Sequence, residues 1–383
     1  MVSGDCAHAI FGTFFALSFD VQLSGKLHLQ TPTRYSMTNN SSHDTISHER
    51  RRILAAMLAG GAGLATIGHE ERILAETLSQ PSPLEQCTPP AHRAIADWAQ
   101  LDALKRKMPM SKIGNVELSR MILGGNLIGG WAHSRDLLYL SDLVKAYHTR
   151  EKIYETFQIA EACGVNTFLS SPGIGKELIA YREKTGGNMQ FIGDTGNDDK
   201  TIADAGVKGA VDAGASLIYV LGEATDRYYL REEEKFDLIG KCLQRIRDEG
   251  YPAGIGAHRV EACQKCIELG LVPDFWVLTY HHLNYWSAVP GKQEHDNVFC
   301  RQPEVTEAFM RERPEPWIAF KTLAAGALQP HEGFRFAFEG GADFICVGMY
   351  DFQVVEDVNI CTDILGNGIK RKRPWITEDI AVV

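Results

Sequence analysis

Trp317-Ile318-Ala319-Phe320 begins a strand–helix–strand unit that continues through a helical pattern over residues 334–339 to Phe344-Ile345-Cys346-Val347-Gly348. Gly341 stands just before the second run, where the helix is expected to end. Glycine suits that position because it adopts the left-handed backbone of a helix C-cap without strain. Both runs are continuously apolar. Such runs, when helices separate them, are typical of a parallel sheet that is covered on both faces.

The same unit recurs along the chain from about Lys112 onward. The predicted strands are 121–124, 166–169, 190–193, 217–221, 253–256, 275–278, 317–320 and 344–348. Helical patterns between them include 152–162, 201–213, 235–248 and 260–269. Eight units within about 240 residues are the count and length of an α/β protein with a closed (β/α)8 barrel, the TIM barrel. The alternative is an open doubly wound sheet, which usually carries a G-x-G-x-x-G turn after its first strand. Residues 124–130 are glycine-rich but lack that spacing.

Composition places the chain among ordinary globular proteins. Its 383 residues are 44% hydrophobic and 23% charged, which excludes a disordered, collagen-like or coiled-coil chain. The 39 basic and 49 acidic residues give a net charge of −10. Nucleic-acid binding needs a basic surface that displaces counterions from phosphates, so we expect no nucleic-acid partner. The nine cysteines are scattered, and we expect them to lie in the core rather than in disulfides.

The first 110 residues differ from the rest of the chain. Arg50-Arg51-Arg52 precede a weakly apolar stretch, residues 53–67, that is rich in alanine and glycine. About 15 residues are too few to cross a bilayer of roughly 30 Å, so we expect no stable membrane insertion once this segment is removed. The pattern resembles a twin-arginine export signal, for which Met37 rather than Met1 would be a natural start. An amphipathic N-terminal helix without an export role is the alternative.

Two regions are therefore predicted. Residues 1–110 form a signal and linker region largely outside the fold, and residues 111–383 form the barrel with a C-terminal extension. The signal predicts an exported or periplasmic protein, and without it the protein would be cytoplasmic.

Polar and ionisable side chains follow most of the predicted strands. Active sites of such barrels are built from residues at the C-terminal ends of the strands, so these side chains are the candidates. They are Asn126, Asp194, Glu223, His258, Tyr280, His281, His282, Asn284, Tyr285, Lys321 and Asp351. Together they predict a mouth that receives a small polar substrate. The long loop 286–301 is suited to covering a substrate, and the aromatic residues within 280–286 to stacking on a sugar ring or another flat polar ligand.

Three kinds of chemistry fit this set. Glu223, His258 and His281 offer nitrogen and oxygen ligands to a divalent metal such as Zn, Mn or Fe. Alternatively, these residues act by acid–base catalysis without a metal. Asp194 or Glu223 would then accept a proton, while a histidine such as His258 or His282, or a tyrosine, would donate one.

Lys321 offers the third chemistry, as an electrophile or Schiff-base amine, because a desolvated lysine loses its proton more readily. The alternative for Lys321 is an ion pair with Asp351 or Glu223.

Several segments between about residues 112 and 360 resemble the aldo/keto reductase superfamily. Residues 112–120, followed by Leu123-Gly124-Gly125, look like the N-terminal hairpin and first strand of those enzymes. Residues 319–328 are similar to their seventh-strand loop beside the cofactor, and residues 348–358 to the last strand and the helix that holds the adenosine phosphate. The resemblance implies a (β/α)8 fold, carbonyl reduction and NADP(H). It also implies that the residues contacting this cofactor are Lys321, Thr322, Gly348 and Asp351.

The catalytic Asp, Tyr, Lys and His of that superfamily are absent from their expected positions. Leu169 and Ile174 stand where the Asp and the Tyr would be, and Asp194 lies near the position of the Lys. The position of the His falls on Gly222 or Glu223. Hydride transfer to a carbonyl would therefore lack its usual proton donor.

These observations lead to one hypothesis and two alternatives. The first is a barrel enzyme acting on a small polar carbonyl, sugar or hydroxy-carbonyl compound by metal-assisted or acid–base chemistry. The alternatives are an NAD(P)H-dependent oxidoreductase and a non-catalytic ligand-binding barrel.

Overall fold

The computed structural model describes residues 98–288 and 297–379, which belong to the compact unit Pro90–Val383. The predicted export signal, with Met37 and residues 50–67, lies outside the described residues. Within the described part of the chain, no helix combines the length and the apolar character that crossing a membrane requires.

Eight parallel strands close into a barrel, as predicted. In chain order, after an N-terminal hairpin, they are β3 (Met121–Gly124), β4 (Thr167–Ser170), β5 (Gln190–Asp194), β6 (Leu217–Val220), β7 (Ala253–Ala257), β8 (Phe275–Thr279), β9 (Trp317–Phe320) and β10 (Phe344–Val347). Each lies within one residue of its predicted bounds. Ile345 of β10 pairs with Met121 of β3, so the sheet has no open edge. The alternative of an open doubly wound sheet is thereby excluded.

Helices separate the strands and cover the barrel. They are α1 (Leu140–Tyr147), α2 (Arg150–Ala162), α3 (Pro172–Thr185), α4 (Val207–Asp212), α5 (Gly222–Arg231), α6 (Phe236–Asp248), α7 (Val260–Glu268), α8 (Pro303–Arg311), α9 (Pro330–Gly340) and α10 (Val354–Gly366). A π-helical turn, Ile202–Gly206, leads into α4. Gly341 has a φ of 114° at the C-cap of α9, which confirms the helix end predicted there.

A hairpin closes the N-terminal end of the barrel. Its strands β1 (Met110–Ile113) and β2 (Val116–Ser119) pair antiparallel, as the resemblance to aldo/keto reductases implied. Ile113 and Leu118 are buried against the inward-facing Ile122 and Phe344 at the starts of β3 and β10. The hairpin therefore closes the N-terminal end of the barrel interior, and among the described residues the C-terminal end is the open one.

The C-terminal tail ties the same end of the barrel together. Arg373 and Asp343 form an ion pair of 2.7 Å, with side chains that are only 1% and 0% exposed. Asp343 also accepts hydrogen bonds from the backbone N–H groups of Trp317 and Ile376, at 3.0 and 2.9 Å. Arg373 donates to the carbonyl oxygen of Glu315 at 2.7 Å. The starts of β9 and β10 are thus joined to the tail through one buried carboxylate.

Replacing this carboxylate should destabilise the whole barrel. We expect Asp343→Asn to lower the free energy of unfolding by about 3–5 kcal/mol, because it leaves the Arg373 charge buried without a counter-charge. Urea unfolding followed by circular dichroism measures the change. The matched control is Asp237→Asn, which removes an exposed ion pair with Lys241 and should cost about 0.5 kcal/mol or less. Equal losses in the two variants would show that the tail is not essential.

Candidate active site

The predicted candidates all lie at the C-terminal end of the barrel, because parallel strands end on one rim. Asp194 ends β5, Glu223 lies in the first turn of α5, and His258 follows β7. His281 and His282 follow β8, Lys321 and Thr322 follow β9, and Gly348 and Asp351 follow β10. We call this end of the barrel the mouth. The side chains differ greatly, however, in burial and in what they contact.

His258 forms a tight pair with Asp226, a residue that sequence reasoning missed. The Nδ1 atom of His258 lies 2.7 Å from Oδ2 of Asp226, and this carboxylate oxygen is the hydrogen-bond acceptor. Asp226 is itself fixed by the backbone N–H groups of His258 and Arg259, at 2.9 and 3.1 Å. Because Nδ1 donates to the carboxylate, Nε2 carries the lone pair. No group in residues 98–288 or 297–379 forms a hydrogen bond with Nε2, and this nitrogen is not sealed from solvent.

Glu223 does not take part in this pair. Its side chain is exposed, and the described residues form no hydrogen bond or ion pair with it. Asp226 lies one helical turn further along α5 and is buried, so the helix presents this carboxylate to His258 instead. The local sequence does not indicate that Asp226 rather than Glu223 pairs with His258, since the contact joins the helix after β6 to the end of β7.

Asp194 is a buried carboxyl group at the floor of the mouth. It is 6% exposed, and its Oδ1 atom accepts a hydrogen bond of 2.8 Å from the backbone N–H of Gly196. Burial raises its pKa to about 6, and the single hydrogen bond from Gly196 opposes this only in part. Tyr219 is its register partner on β6, where burial and the charge of Asp194 raise the pKa of the phenol. Asp194 can therefore both release and accept a proton near neutral pH.

The ring of Phe299 connects the other ionisable groups of the mouth. The Nζ atom of Lys321 lies 3.5 Å from its centroid, and the ring of His133 lies 5.3 Å away. The rings of His258 and His281 are each 6.4 Å from it. Lys321 Nζ is also 3.3 Å from Nε2 of His133. Phe299 and His133 were not predicted as site residues, because neither lies directly at a strand end.

The hydrogen bonds of His281 hold the loop that follows β8. His281 has no exposed surface, and its Nε2 atom accepts the backbone N–H groups of Phe299 and Cys300 at 3.2 and 2.9 Å. Its Nδ1 atom lies 3.0 Å from the carbonyl oxygen of His282. Burial lowers the pKa of His281 to about 4, so the ring is neutral and both nitrogens are used.

His282 faces α9 rather than the His258 pair. Its Nε2 atom is 3.2 Å from Oε1 of Glu332, and its ring packs edge-on against Phe336 at 5.0 Å. A catalytic role for His282 would require it to leave these contacts.

The predicted metal ligands do not assemble. In the part of the chain that the structure describes, no group of three or more His, Cys, Asp or Glu side chains could hold a metal ion. Glu223, His258 and His281 are all described residues, and the Nε2 lone pair of His281 is already used by two backbone donors. The donor set thus does not fit a divalent metal.

The predicted cofactor residues divide into two pairs. Thr322 is 1% exposed, and its Oγ1 atom is buried without a hydrogen-bond partner, while Lys321 beside it supplies a cation. Gly348 could carry a Cβ atom at ordinary distance from Leu127, so no close backbone approach requires glycine there. Asp351 accepts hydrogen bonds from the Tyr147 hydroxyl and, at 3.0 Å, from Lys152. These hydrogen bonds of Asp351 therefore join the end of β10 to α1 and α2.

Backbone strain is concentrated in two loops at the mouth. Among the described residues, the non-glycine residues with positive φ are Arg135, Asp136, Lys321, Ala324 and Ala325. They lie in the loops after β3 and β9, which we call the β3 loop (residues 125–139) and the β9 loop (residues 321–329). Ser134 joins the two loops by donating a hydrogen bond of 2.9 Å to the carbonyl oxygen of Ala325. Such conformations cost about 1–3 kcal/mol each and persist where the surrounding structure imposes them.

No protein-family model and no curated protein sequence matches this chain. Solved structures similar to it include a candidate aldo-keto reductase from Pseudomonas aeruginosa, with 13% identity and a TM-score of 0.49 over 68% of this chain and 99% of that one. A truncated 3-deoxy-D-arabino-heptulosonate 7-phosphate synthase from Thermotoga maritima has 13% identity and a TM-score of 0.39, over 68% of this chain and 94% of that one.

A candidate deoxyribose-phosphate aldolase from Toxoplasma gondii is also similar, with 12% identity and a TM-score of 0.37 over 71% of this chain and 96% of that one. Identities this low leave the chemistry of the mouth to be argued from its own side chains.

The raised pKa of Asp194 should appear as a pH-dependent stability difference. Between the unfolded pKa of about 4 and the folded pKa of about 6, only the unfolded state has lost its proton, so raising the pH lowers the free energy of unfolding. Asparagine does not titrate. We therefore expect the stability of Asp194→Asn relative to the wild type to rise by up to about 3 kcal/mol between pH 4 and pH 7.

Urea unfolding of both proteins at several pH values across this range measures the difference. A difference that does not vary with pH would mean that Asp194 ionises as an exposed carboxyl does.

Proposed function

We propose that this barrel is an enzyme that moves protons on a small hydroxy-carbonyl compound by general acid–base catalysis. The observation that carries the proposal is the His258–Asp226 pair, held at 2.7 Å with the Nε2 atom of His258 available at the mouth. An imidazole that a buried carboxylate orients in this way is a suitable general base, because its charged form is stabilised as it takes up a proton.

In this mechanism, Nε2 of His258 removes a proton from the carbon next to the substrate carbonyl. Asp226 accepts a hydrogen bond from the Nδ1–H of His258 throughout, which keeps the ring oriented and stabilises the imidazolium. The backbone N–H groups of His258 and Arg259 keep Asp226 in place. Asp226 is thus a positioning residue, and His258 is the catalytic base.

Asp194 and Lys321 act on the oxygen of the same substrate. The buried carboxyl group of Asp194, with a pKa of about 6, donates its proton to the carbonyl oxygen as the electron pair of the broken C–H bond moves there. The ammonium group of Lys321 stabilises the negative charge that develops before this transfer is complete. The proton on His258 then returns to the substrate or exchanges with water.

An NADP(H)-dependent oxidoreductase is the second candidate. It is favoured by the buried, unpartnered Oγ1 atom of Thr322 beside the cation of Lys321, a combination suited to a phosphate group. The resemblance of residues 319–328 to the cofactor loop of aldo/keto reductases points the same way. When bound, the cofactor would supply hydride, and Lys321 and Thr322 would hold a phosphate oxygen.

Proton abstraction can be measured without knowing the natural product. In D2O, the enzyme should replace the C–H hydrogen beside the carbonyl with deuterium, which NMR detects directly. The substrates tested are dihydroxyacetone, D-glyceraldehyde, D-xylose and D-glucuronate. We expect exchange of at least one substrate, and a loss of roughly 100-fold or more in His258→Gln, since general bases contribute about 10²–10⁴-fold.

The matched control is His331→Gln, which replaces an exposed histidine at the start of α9 and should leave the exchange rate unchanged. Asp226→Asn should reduce the rate and alter its pH profile, which a purely structural role would not do. Exchange that survives in His258→Gln would overturn the proposed mechanism.

Binding of NADPH tests the second candidate. If Thr322 holds a phosphate oxygen, NADPH at millimolar concentration should raise the Tm of the wild type, because a ligand that binds only the folded state stabilises it. Thr322→Val keeps the shape of the side chain but removes the hydroxyl, and it should reduce the shift. An unchanged Tm in the wild type would contradict the oxidoreductase function. NADH serves as the control ligand that lacks the additional phosphate.

A further inference from the structure

Arg135, in the β3 loop, carries a positive charge with which no acidic side chain of the described residues pairs. Its side chain is half-buried, and no hydrogen bond or ion pair to its guanidinium group forms within residues 98–288 and 297–379. Its Nε atom is fully buried and has no hydrogen-bond partner. A buried donor without a partner is costly, and charged side chains are rarely buried unless they are paired. The guanidinium group of Arg135 is therefore suited to binding an anionic group of a ligand.

Arg135 lies in a conformationally strained part of the backbone. Arg135 and the next residue, Asp136, have φ values of 49° and 65°, which disfavour both side chains. Ser134 is buried and bonded to the carbonyl oxygen of Ala325 in the β9 loop, at 2.9 Å. A surface arginine without a role would relax from such a conformation, so the strain points to a constraint imposed by function.

Trp286 faces Arg135 from the loop after β8. Its indole is 75% exposed, although the residues on either side are anchored. The hydroxyl of Tyr285 donates a hydrogen bond of 2.9 Å to the carbonyl oxygen of Asn297, and the Asn297 amide donates one of 2.8 Å to Oγ of the buried Ser287. The turn thus holds a large apolar surface in solvent, and an aromatic surface exposed in this way commonly marks a binding site.

The two side chains form a pair with a defined chemical preference. The Arg135 Cζ atom lies 5.8 Å from the centre of the Trp286 ring, within the range of a cation–π contact. A guanidinium group matches a carboxylate through two parallel hydrogen bonds, and an indole face packs against the carbon face of a ring. His133, two residues before Arg135, lies beside Lys321, which links this pair to the interior of the mouth.

We propose that Arg135 and Trp286 form a recognition clasp for sugar acids, in which Arg135 binds the carboxylate and Trp286 packs against the carbon ring or chain. The clasp rests on the proposed function, because it names the substrate class of the same mouth. A sugar acid held in this way carries its carbonyl group at a distance from its carboxylate. The clasp can therefore bind the carboxylate while His258 acts beside the carbonyl. The enzyme supplying such a substrate would be one that oxidises or hydrolyses a sugar derivative to give a free carboxylate.

Three probes separate the contributions of charge and ring. D-Glucuronate has both a carboxylate and a ring, D-glucose has only the ring, and malate has only the carboxylate. Calorimetric titration of the full chain, with saturation-transfer NMR for weak binding, should give glucuronate an affinity at least tenfold higher than that of either other probe. Equal affinities for the three probes, or no binding of glucuronate, would overturn the clasp.

Variants assign the two roles. Arg135→Gln should weaken glucuronate binding at least tenfold while leaving glucose unchanged, and Arg135→Lys should restore part of the loss. Trp286→Ala should weaken both sugars but not malate. Arg150→Gln is the matched control, since Arg150 is exposed on α2 and paired with Glu177, and it should alter none of the affinities. Weakening by Arg150→Gln comparable to that by Arg135→Gln would also overturn the clasp.

The result can be distinguished from failure of the proposed function. Selective glucuronate binding without any deuterium exchange would support the clasp and contradict the acid–base function. Exchange without selective binding would do the reverse.

Discussion

The pairing of β10 with β3 is the constraint on which the arrangement of this protein depends. Since Ile345 and Met121 are register partners, the sheet closes, and all eight of its strands run parallel. All eight C-terminal strand ends then meet at one rim, and side chains from distant parts of the sequence become neighbours there. The hairpin fills the opposite end, so among the described residues the mouth is the open end of the barrel. The buried Arg373–Asp343 network holds the strand starts from which this geometry extends.

The sequence was sufficient for the barrel because each strand is a continuous apolar run between helical patterns, and burial on both faces demands such a run. It also located the rim residues, since any polar side chain just after a strand must lie there. What each of them contacts could not be predicted. His281 and His282 are adjacent in the chain, yet one is sealed inside against backbone donors while the other faces α9.

The same limit explains why sequence reasoning considered Glu223 and missed Asp226. Both carboxylates belong to one helix, and they differ in how the rotation of that helix places them relative to β7, which a single sequence does not reveal. His133 and Phe299 were missed because long loops carry them into the mouth from outside the strand ends. Side chains of this kind are found only when the loops are seen folded over the barrel.

The left-handed residues of the β3 and β9 loops have a consequence for how this protein responds to heat. The loops store conformational free energy at one end of the barrel, whereas the buried ion pair and the tail stabilise the other end. Local opening therefore requires less energy in the loops than in the strands, and the loops lose order first as temperature rises. Arg135 and Lys321, which these loops carry, would then separate from their neighbours while the barrel remains folded. This local loss of order would precede global unfolding and be reversible on cooling.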